Sequence, residues 1–600
     1  VRTYTGVIAG ELVTVHEFDS WDDDPTPLFD MIRRNPVIGF DTESSGTDVY
    51  EKGWFTRLAQ FGTETEAYVL RYDMFKPLIQ RCIDMAEALV IHNADHDIGV
   101  LHVAYGFSLE YLYPKTIDTL TLSRLIDPMG FTQPKGGDGK IVPTHALKER
   151  IRQLVDGTFE ADKALTLRFR ELKLSANKGG YGKIPIDDEV YVTYAGYDPM
   201  LAMRILRALG ADATKRAMAL FEYERRVAYV LATVHHRGLA VDFEYSRQES
   251  IDFLKQAEAM NNRAYQLGFP AEGIAKKDDK EAVVEWLKLN DIKVSLTDKG
   301  GYSLSKPNML SNIQGREDDA SQAIREFFTA KELVKFDADY IQKFLEAEET
   351  DGRLHPVIDP MGAQTGRNSI SKPPLQQIPS HGTTRGCLIA DDGRLLVGCD
   401  KSQIEVRVAA VLSGDENMLR LLREGADMPN YIAEVMYGPD FTEDQRTVGK
   451  RGLYGKFYGA GAPTVSRQTG VSEEVARTTL QTLDKLFPGL KPYARRLGLQ
   501  PYVETFVGRR VAVDPQRSYG AINYDVQSTA RDLFMFDLLR LVDAGLLEFL
   551  WLLVHDEIIL NVPEADAKDV AHTMKALMTG EWRGVPMLAK AQVMGKRWTK

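Results

Sequence analysis

Two apolar runs that each end in a carboxylate constrain this chain more than any other feature. Leu395 to Cys399 (LLVGC) leads into Asp400 and then KSQIEVR. Trp551 to Val554 (WLLV) leads into His555, Asp556 and Glu557 before a further apolar run, IIL. Runs this short and this apolar are expected as buried strands. A carboxylate bounded by such residues is costly to bury unless it is paired or holds a metal. One such site is equally well a structural salt bridge. Two of them, with a helix suited to a triphosphate between them, point to phosphoryl chemistry on a pair of divalent cations.

That helix is the segment QRTVGKRGLYGKFYGAGAP, Gln445 to Pro463. Arg446, Lys450, Tyr454 and Tyr458 are spaced by four and followed directly by Gly459. Each step of four drifts only ~40°, so they form one spiralling stripe on a helix about 18 Å long. Two cations followed by two rings suit a nucleoside triphosphate lying along the helix, phosphates on the cations and sugar and base on the rings. Gly452 and Gly455 each cost a helix roughly 1 kcal/mol relative to Ala, which implies close approach at those positions. Taken alone, a surface stripe of snorkelling Arg and Lys explains the segment equally well.

At 600 residues the chain has material for three or four domains, and a net charge of −12 excludes a uniformly basic nucleic-acid coat. It leaves room for a clefted enzyme lined by metal-binding carboxylates. Three scattered cysteines, Cys82, Cys387 and Cys399, argue against a disulfide framework or zinc site and for a reducing compartment. No signal-peptide pattern is present, and Gly545 to Val554 is too short to span a bilayer and contains Glu548. A cytoplasmic location with no membrane partner is expected. The first third alternates apolar runs with helical patterns. Residues ~212 to ~350 are charged and helical, interrupted by the turn-rich stretch Thr297 to Pro307. Helices then dominate from ~415 to ~500.

DKSQIEVR (Asp400 to Arg407), the Arg-Lys-Tyr-Tyr-Gly helix and VHDE (Val554 to Glu557) resemble, in order, motifs A, B and C of family A DNA polymerases. TGR with LQQIP (Thr365 to Pro379) and TFVGRR (Thr505 to Arg510) agree. The resemblance covers essentially the whole chain. It implies Asp400 and Asp556 as metal ligands with Glu557 beside them, and Arg446 and Lys450 on the triphosphate. Lys450 is also a candidate proton donor to pyrophosphate. Tyr454 is implied to pack on the sugar and base, and Tyr458, with Gly459, to lie near the template base. Glu405 is implied to exclude a ribose 2′-hydroxyl, and Gln403 and His555 to line the nucleotide site. Arg367 is implied to read the primer–template minor groove as a shape check. Gln377, Arg407, Arg509, Asn523 and Gln527 are the other implied DNA contacts. Two departures, Lys401 after the motif A Asp and Tyr519 four residues before Asn523, are expected to alter primer–template grip rather than catalysis. Tyr454, where many cellular members have Phe, implies ready dideoxynucleotide incorporation.

Upstream, VIGFDTESSG places Asp41 and Glu43 at i and i+2 of a strand, facing one way. Asn93 and Asp97 follow in HNADHD, and Tyr194 and Asp198 in TYAGYD. Singly, each is best read as a surface carboxylate or cap. As an ordered set they resemble the three motifs of DnaQ-like 3′–5′ exonucleases. That resemblance implies Asp41, Glu43, Asp97 and Asp198 as ligands of two metals, with Tyr194 orienting the attacking water. Asp95 and His96 are read as ordinary surface residues.

The expected fold is multi-domain α/β and α+β, an RNase H-like exonuclease followed by a right-hand polymerase. Exonuclease is assigned to 1–211, thumb to 212–350, palm to 351–412, fingers to 413–490 and the rest of the palm to 491–600. The expected activity is DNA-templated addition of dNTPs to a primer 3′-hydroxyl, with proofreading, on two Mg²⁺ per site (Mn²⁺ as an alternative). HALKERI (His145 to Ile151) and DTLTLSRL (Asp118 to Leu125) place the chain nearer the phage replicative branch, without a 5′-nuclease domain and without a long thumb insertion for a processivity factor. The expected partners are primer–template DNA, dNTPs and replisome proteins (helicase–primase, single-strand-binding protein) around a monomeric catalytic subunit. The alternatives are a bacterial repair polymerase, a single-subunit RNA polymerase and a catalytically dead DNA-binding factor.

Overall fold

Strand-forming residues dominate both sheets, and what differs is how each sheet is covered. The computed structural model describes residues 1–135, 140–270, 280–297, 300–380 and 382–599. The N-terminal sheet has seven strands: β1 (Arg2–Ile8), β2 (Glu11–Phe18), β3 (Val37–Ser44), β4 (Thr56–Gly62), β5 (Glu66–Arg71), β6 (Ala88–Ile91) and β7 (Thr116–Asp118). Their order is β1-β2-β5-β4-β3-β6-β7, mixed parallel and antiparallel. On β3 the even positions Ile38 and Phe40 enter one core, and the odd positions Gly39, Asp41 and Glu43 face the other side. That period of two separates packing from chemistry within one strand.

Of the helices packed around this sheet, three position functional side chains: α1 (Ala94–Val103), α2 (Leu147–Leu154) and α3 (Glu189–Gly210). Helix α3 lies across β3, β4, β5 and β6 and buries Tyr191, Val192, Ala195, Met200 and Leu201. It sits close to the sheet because Gly39 has no side chain; a Cβ there would fall 2.2 Å from the Pro199 carbonyl oxygen. This close approach lowers Asp198 onto the face that carries Asp41 and Glu43.

Helix α4 (Lys215–Arg237) follows and feeds three cores at once. Leu220 and Phe221 enter the core under α3, and Ala228, Tyr229 and Ala232 pack on the opposite core of the first sheet. Val227, Val230, Leu231 and Val234 enter the large C-terminal core. Helices α5 (Phe243–Gln266) and α6 (Asp319–Phe336) pair lengthwise and end in a separate small core around Phe269, Phe327 and Phe328.

The C-terminal sheet consists of β8 (Arg394–Lys401), β9 (Leu550–Val554), β10 (Glu557–Pro563) and β11 (Ala589–Gly595), in the order β9-β10-β8-β11, all antiparallel. Both apolar runs singled out in the sequence are thus strands of this sheet. Around it lie α7 (Ile404–Ser413), α8 (Met428–Tyr437), α9 (Glu443–Phe457), α10 (Glu473–Leu486) and α11 (Ala521–Asp543). Among the described residues no helix is long and apolar enough to cross a membrane.

Candidate active sites

The first site forms where β3, α1 and α3 meet. Oxygens of Asp41, Glu43 and Asp198 lie within 4.8 Å of one another. Asp97 arrives on α1, from the opposite side of β3, and accepts a 2.6 Å hydrogen bond from the Thr42 hydroxyl. Burial comes first in raising all four carboxyls. Asp41 stands well above the ordinary range, with Asp97, Asp198 and Glu43 adding to the effect. Glu43 is pushed up to about 8 by burial and then Asp198, against Lys148 and Arg57. Asp97 rises to about 6, held back by His96 and Thr42, and Asp198 is raised against the pull of Lys148. Four enclosed carboxyls that repel one another, three of them converging, form the donor set a hard divalent cation prefers.

Tyr194, one turn before Asp198 on α3, has its phenol raised by Asp198 and then by burial. Lys148, on α2, donates a hydrogen bond to Asp198 Oδ1, and its ammonium lies 4.4 Å from the Tyr194 ring centroid. Sequence reasoning missed Lys148. Its only signal was a basic residue in HALKERI, and its partner is 50 residues away. A groove of about 710 Å³ opens beside Glu43, lined in part by Thr42, Trp54, Phe55, His96 and Tyr181. Asp95 is not the ordinary surface residue expected. It accepts a 2.9 Å hydrogen bond from Tyr113, and burial, then Asp118, push it up to about 7.

The second site forms at one end of β8 and the β9–β10 hairpin. Asp400 pairs in register with Glu557, and the Lys401 N–H donates to the Asp556 carbonyl at 3.0 Å. Asp400 and Asp556 are therefore neighbours on adjacent strand ends. His555, in the two-residue turn, takes a left-handed φ of 55°, as does Gln403 (54°) where β8 passes into α7. Asn93, just before α1, does the same at 68°. Strained non-glycine backbone of this kind concentrates at functional sites. Glu557 is buried.

Helix α9 stands over this sheet end. Arg446, Lys450 and Tyr454 lie along it, Tyr458 caps it, and Gly459 turns the chain with φ 68°. The expected close approach is present: a Cβ on Gly452 would fall 2.6 Å from Thr479 Cγ2 on α10, on the face away from the stripe. Arg446 is held by Asn430 at 2.5 Å and Asp427 at 3.4 Å, and Gln403 donates to the same Asp427 at 2.8 Å. Lys450 is exposed. Tyr454, half-buried, has its phenol raised by burial and then by Glu405.

Arg367 lies between Glu405 and Asp556, its Nη2 2.6 Å from Glu405 Oε1 and 3.3 Å from Asp556 Oδ1. Burial raises Glu405 against the pull of Arg367. Gln527 on α11 donates to the Tyr458 hydroxyl at 2.8 Å, and that hydroxyl lies 3.5 Å from Glu405 Oε2. Asn523 sits one turn before Gln527 on α11, and Gln377 is exposed.

Three expectations need correction. Arg509 is buried rather than presented to DNA. It pairs with Glu224 on α4 and with Asp532 at 2.7 Å, while Arg531 donates to both Glu224 oxygens at 2.6 Å. A guanidinium with that many buried carboxylate partners is fixed in place. Arg407 is also buried, and its donors reach the Ser402 and Pro586 carbonyls at 2.8 and 2.7 Å. Lys401 points to the far face of β8 and pairs with Asp537 at 2.8 Å, so it is buried in the scaffold rather than presented beside Asp400. Tyr519, by contrast, is exposed and lies against Gly459, where a Cβ would meet its ring at 2.5 Å.

The sequence profile described as "3'-5' exonuclease" matches residues 20–208, and that described as "DNA polymerase family A" matches residues 244–600. The DNA polymerase of Mycobacterium phage D29 is 32% identical across 98% of this chain and 97% of its own length. That of Mycobacterium phage L5 is 29% identical with the same coverage. The thermostable DNA polymerase I of Thermus aquaticus is 28% identical over 72% of this chain and 57% of its own. A solved structure, the "POL domain of Pol1 from M. smegmatis complex with DNA primer-template and dNTP", superposes with a TM-score of 0.72. It covers 97% of this chain and 99% of that chain at 18% identity, a likeness of fold.

Proposed function

Since the chain belongs to DNA polymerase family A and is a DNA-templated DNA polymerase with a 3′–5′ exonuclease, we propose which of its residues do each job. Polymerisation belongs to the end of the C-terminal sheet. Asp400 and Asp556 hold two Mg²⁺ ions there, with Glu557 alongside and Mn²⁺ able to substitute. Held there, such ions would supply Lewis acidity, lowering the pKa of the primer 3′-hydroxyl and offsetting the charge that develops on the pyrophosphate leaving group. Arg446 and Lys450 grip the triphosphate, and Lys450 donates a proton to the leaving group. Tyr454 and Tyr458 pack the sugar and base, with Gly459, Gln403 and His555 around them. Glu405 fills the space a 2′-hydroxyl needs. Arg367 leaves its two carboxylates to reach the minor groove, and Gln377, Asn523, Gln527 and exposed Tyr519 contact DNA.

The observation that carries this reading is the pairing of Asp400 with Glu557 beside the turn that holds Asp556, directly under α9. In the exonuclease, Asp41, Glu43, Asp97 and Asp198 hold a second pair of Mg²⁺ ions, and Tyr194 orients the water that attacks the terminal phosphodiester. The single strand enters by the groove past Phe55 and Trp54. Residues 1–211 form the exonuclease, 212–350 the thumb, 351–412 and 491–600 the palm, and 413–490 the fingers. Full-length similarity to mycobacteriophage polymerases supports replication of phage DNA by a monomeric subunit working with replisome proteins.

Primer extension and 3′-end degradation on the same labelled duplex test the assignment. Asp400→Ala is expected to stop extension and leave degradation, and Asp41→Ala to do the reverse. Efficient rNTP use by the unaltered chain would remove the role given to Glu405.

A further inference from the structure

Among the described residues, Lys148 is the one cation that reaches into the exonuclease carboxylates without a fixed backbone anchor. Arg57 also faces Glu43, but its guanidinium is fixed by the carbonyls of Tyr181 and, at 2.6 Å, Ile184. Lys148 instead spends its ammonium on Asp198 itself, with the Tyr194 ring at 4.4 Å. Both side chains are nearly enclosed, at 13% and 10% exposure. Asp198 is also one of the three residues whose oxygens converge within 4.8 Å. An ammonium and a divalent cation therefore compete for the same lone pairs.

We propose that Lys148 is a positioning residue of the exonuclease, a resident counter-cation that occupies Asp198 and must be displaced as the site takes up metal. The inference rests on reading Asp41, Glu43 and Asp198 as metal ligands. Its physical content is a competition. The ammonium offsets part of the repulsion among four carboxyls, which keeps the pocket folded, and in doing so raises the metal concentration the site requires. The four-carbon stem on α2 lets the ammonium withdraw without moving backbone, and the Tyr194 face offers it a cation–π rest. Asp198 and Tyr194 then change partners together, linking metal uptake to the group that orients the water.

The test is direct Mn²⁺ binding to the full chain, followed by electron paramagnetic resonance of free Mn²⁺ in the absence of DNA. Asp400→Asn with Asp556→Asn removes binding at the polymerase site, and the further change Asp41→Asn identifies the exonuclease component. Lys148→Met keeps the stem and removes the charge, and is expected to lower the Kd of that component about tenfold, the effect of losing a competitor of ~1.4 kcal/mol. Lys148→Gln is expected to act in the same direction, and Lys148→Arg to stay near the parent. A purely structural lysine would give unchanged or weaker binding in Lys148→Met and Lys148→Gln, and that result overturns the inference. If no Mn²⁺ component disappears with Asp41→Asn, the metal-ligand reading fails and this inference fails with it.

Discussion

The two active sites of this chain each set a basic side chain against a proposed metal ligand, Lys148 on Asp198 and Arg367 on Asp556. Their surroundings differ. At the exonuclease four carboxyls are enclosed between a sheet and two helices, and burial raises every one of them. At the polymerase the aspartates lie at strand ends facing a cleft, and Asp556 keeps 27% of its side chain exposed. An enclosed site gains selectivity from repulsion among its own ligands, and an open one gains it from what the cleft closes upon. Enclosure suits a reaction that must stay off on paired DNA. Openness suits one that must accept a new substrate at every step.

The largest expected effects test whether the sites are separable. Asp556→Ala should cut extension by roughly three orders of magnitude or more while 3′-end degradation is retained, and Glu43→Ala should do the opposite. A matching loss of both activities in either variant would show one coupled centre. The buried ion cluster tests the scaffold they share. Glu224→Ala leaves two buried guanidinium groups to share the single carboxylate of Asp532 and should cost about 3–5 kcal/mol of stability in urea denaturation. Both activities should then fail at the same denaturant concentration, since α4 serves both halves.

Acidity sharpens the contrast further. Burial and then Asp198 push the Glu43 carboxyl up to about 8 in the fold, from an ordinary value of 4.5. Between those values the native state holds a proton that the unfolded chain has released. Its contribution to stability is therefore complete below about pH 4.5 and lost as pH rises through 8. Thermal melts in chelator should show the exonuclease half weakening as pH is raised from 5 to 8, with Mg²⁺ restoring it. A flat profile would mean that the carboxyls are not mutually raised. The smallest effect concerns Tyr454. Tyr454→Phe removes one hydroxyl near the proposed triphosphate site and should increase discrimination against dideoxynucleotides about tenfold, with dNTP use nearly intact. Competitive single-nucleotide insertion measures it.

What could be read from the sequence follows the range of the interactions. The alternation on β3, the strand ends at Asp400 and Asp556 and the stripe of α9 are set by neighbours within a few residues, so pattern alone located them. Arg509 is implied as a DNA contact by the resemblance of TFVGRR to a family motif. Its partner Glu224 is 285 residues earlier, and only the fold brings the two together. Lys401 looked like a substitution in the cleft, yet strand alternation turns it to the opposite face from Asp400 and onto Asp537. Lys148 carried no local signal beyond a basic residue in HALKERI, because its partner Asp198 lies 50 residues away.

Helix α4 also decides where this polymerase can be divided. It supplies Glu224 to Arg509 and Arg531, and Val227, Val230, Leu231 and Val234 to the C-terminal core. A fragment that begins at Thr214 retains all of these, whereas one that begins after Gly238 leaves two arginines buried beside a single aspartate. An engineer stripping the proofreader, or a lineage losing it, must therefore keep this helix as part of the polymerase. The inheritable module starts some thirty residues before the region that matches the polymerase family.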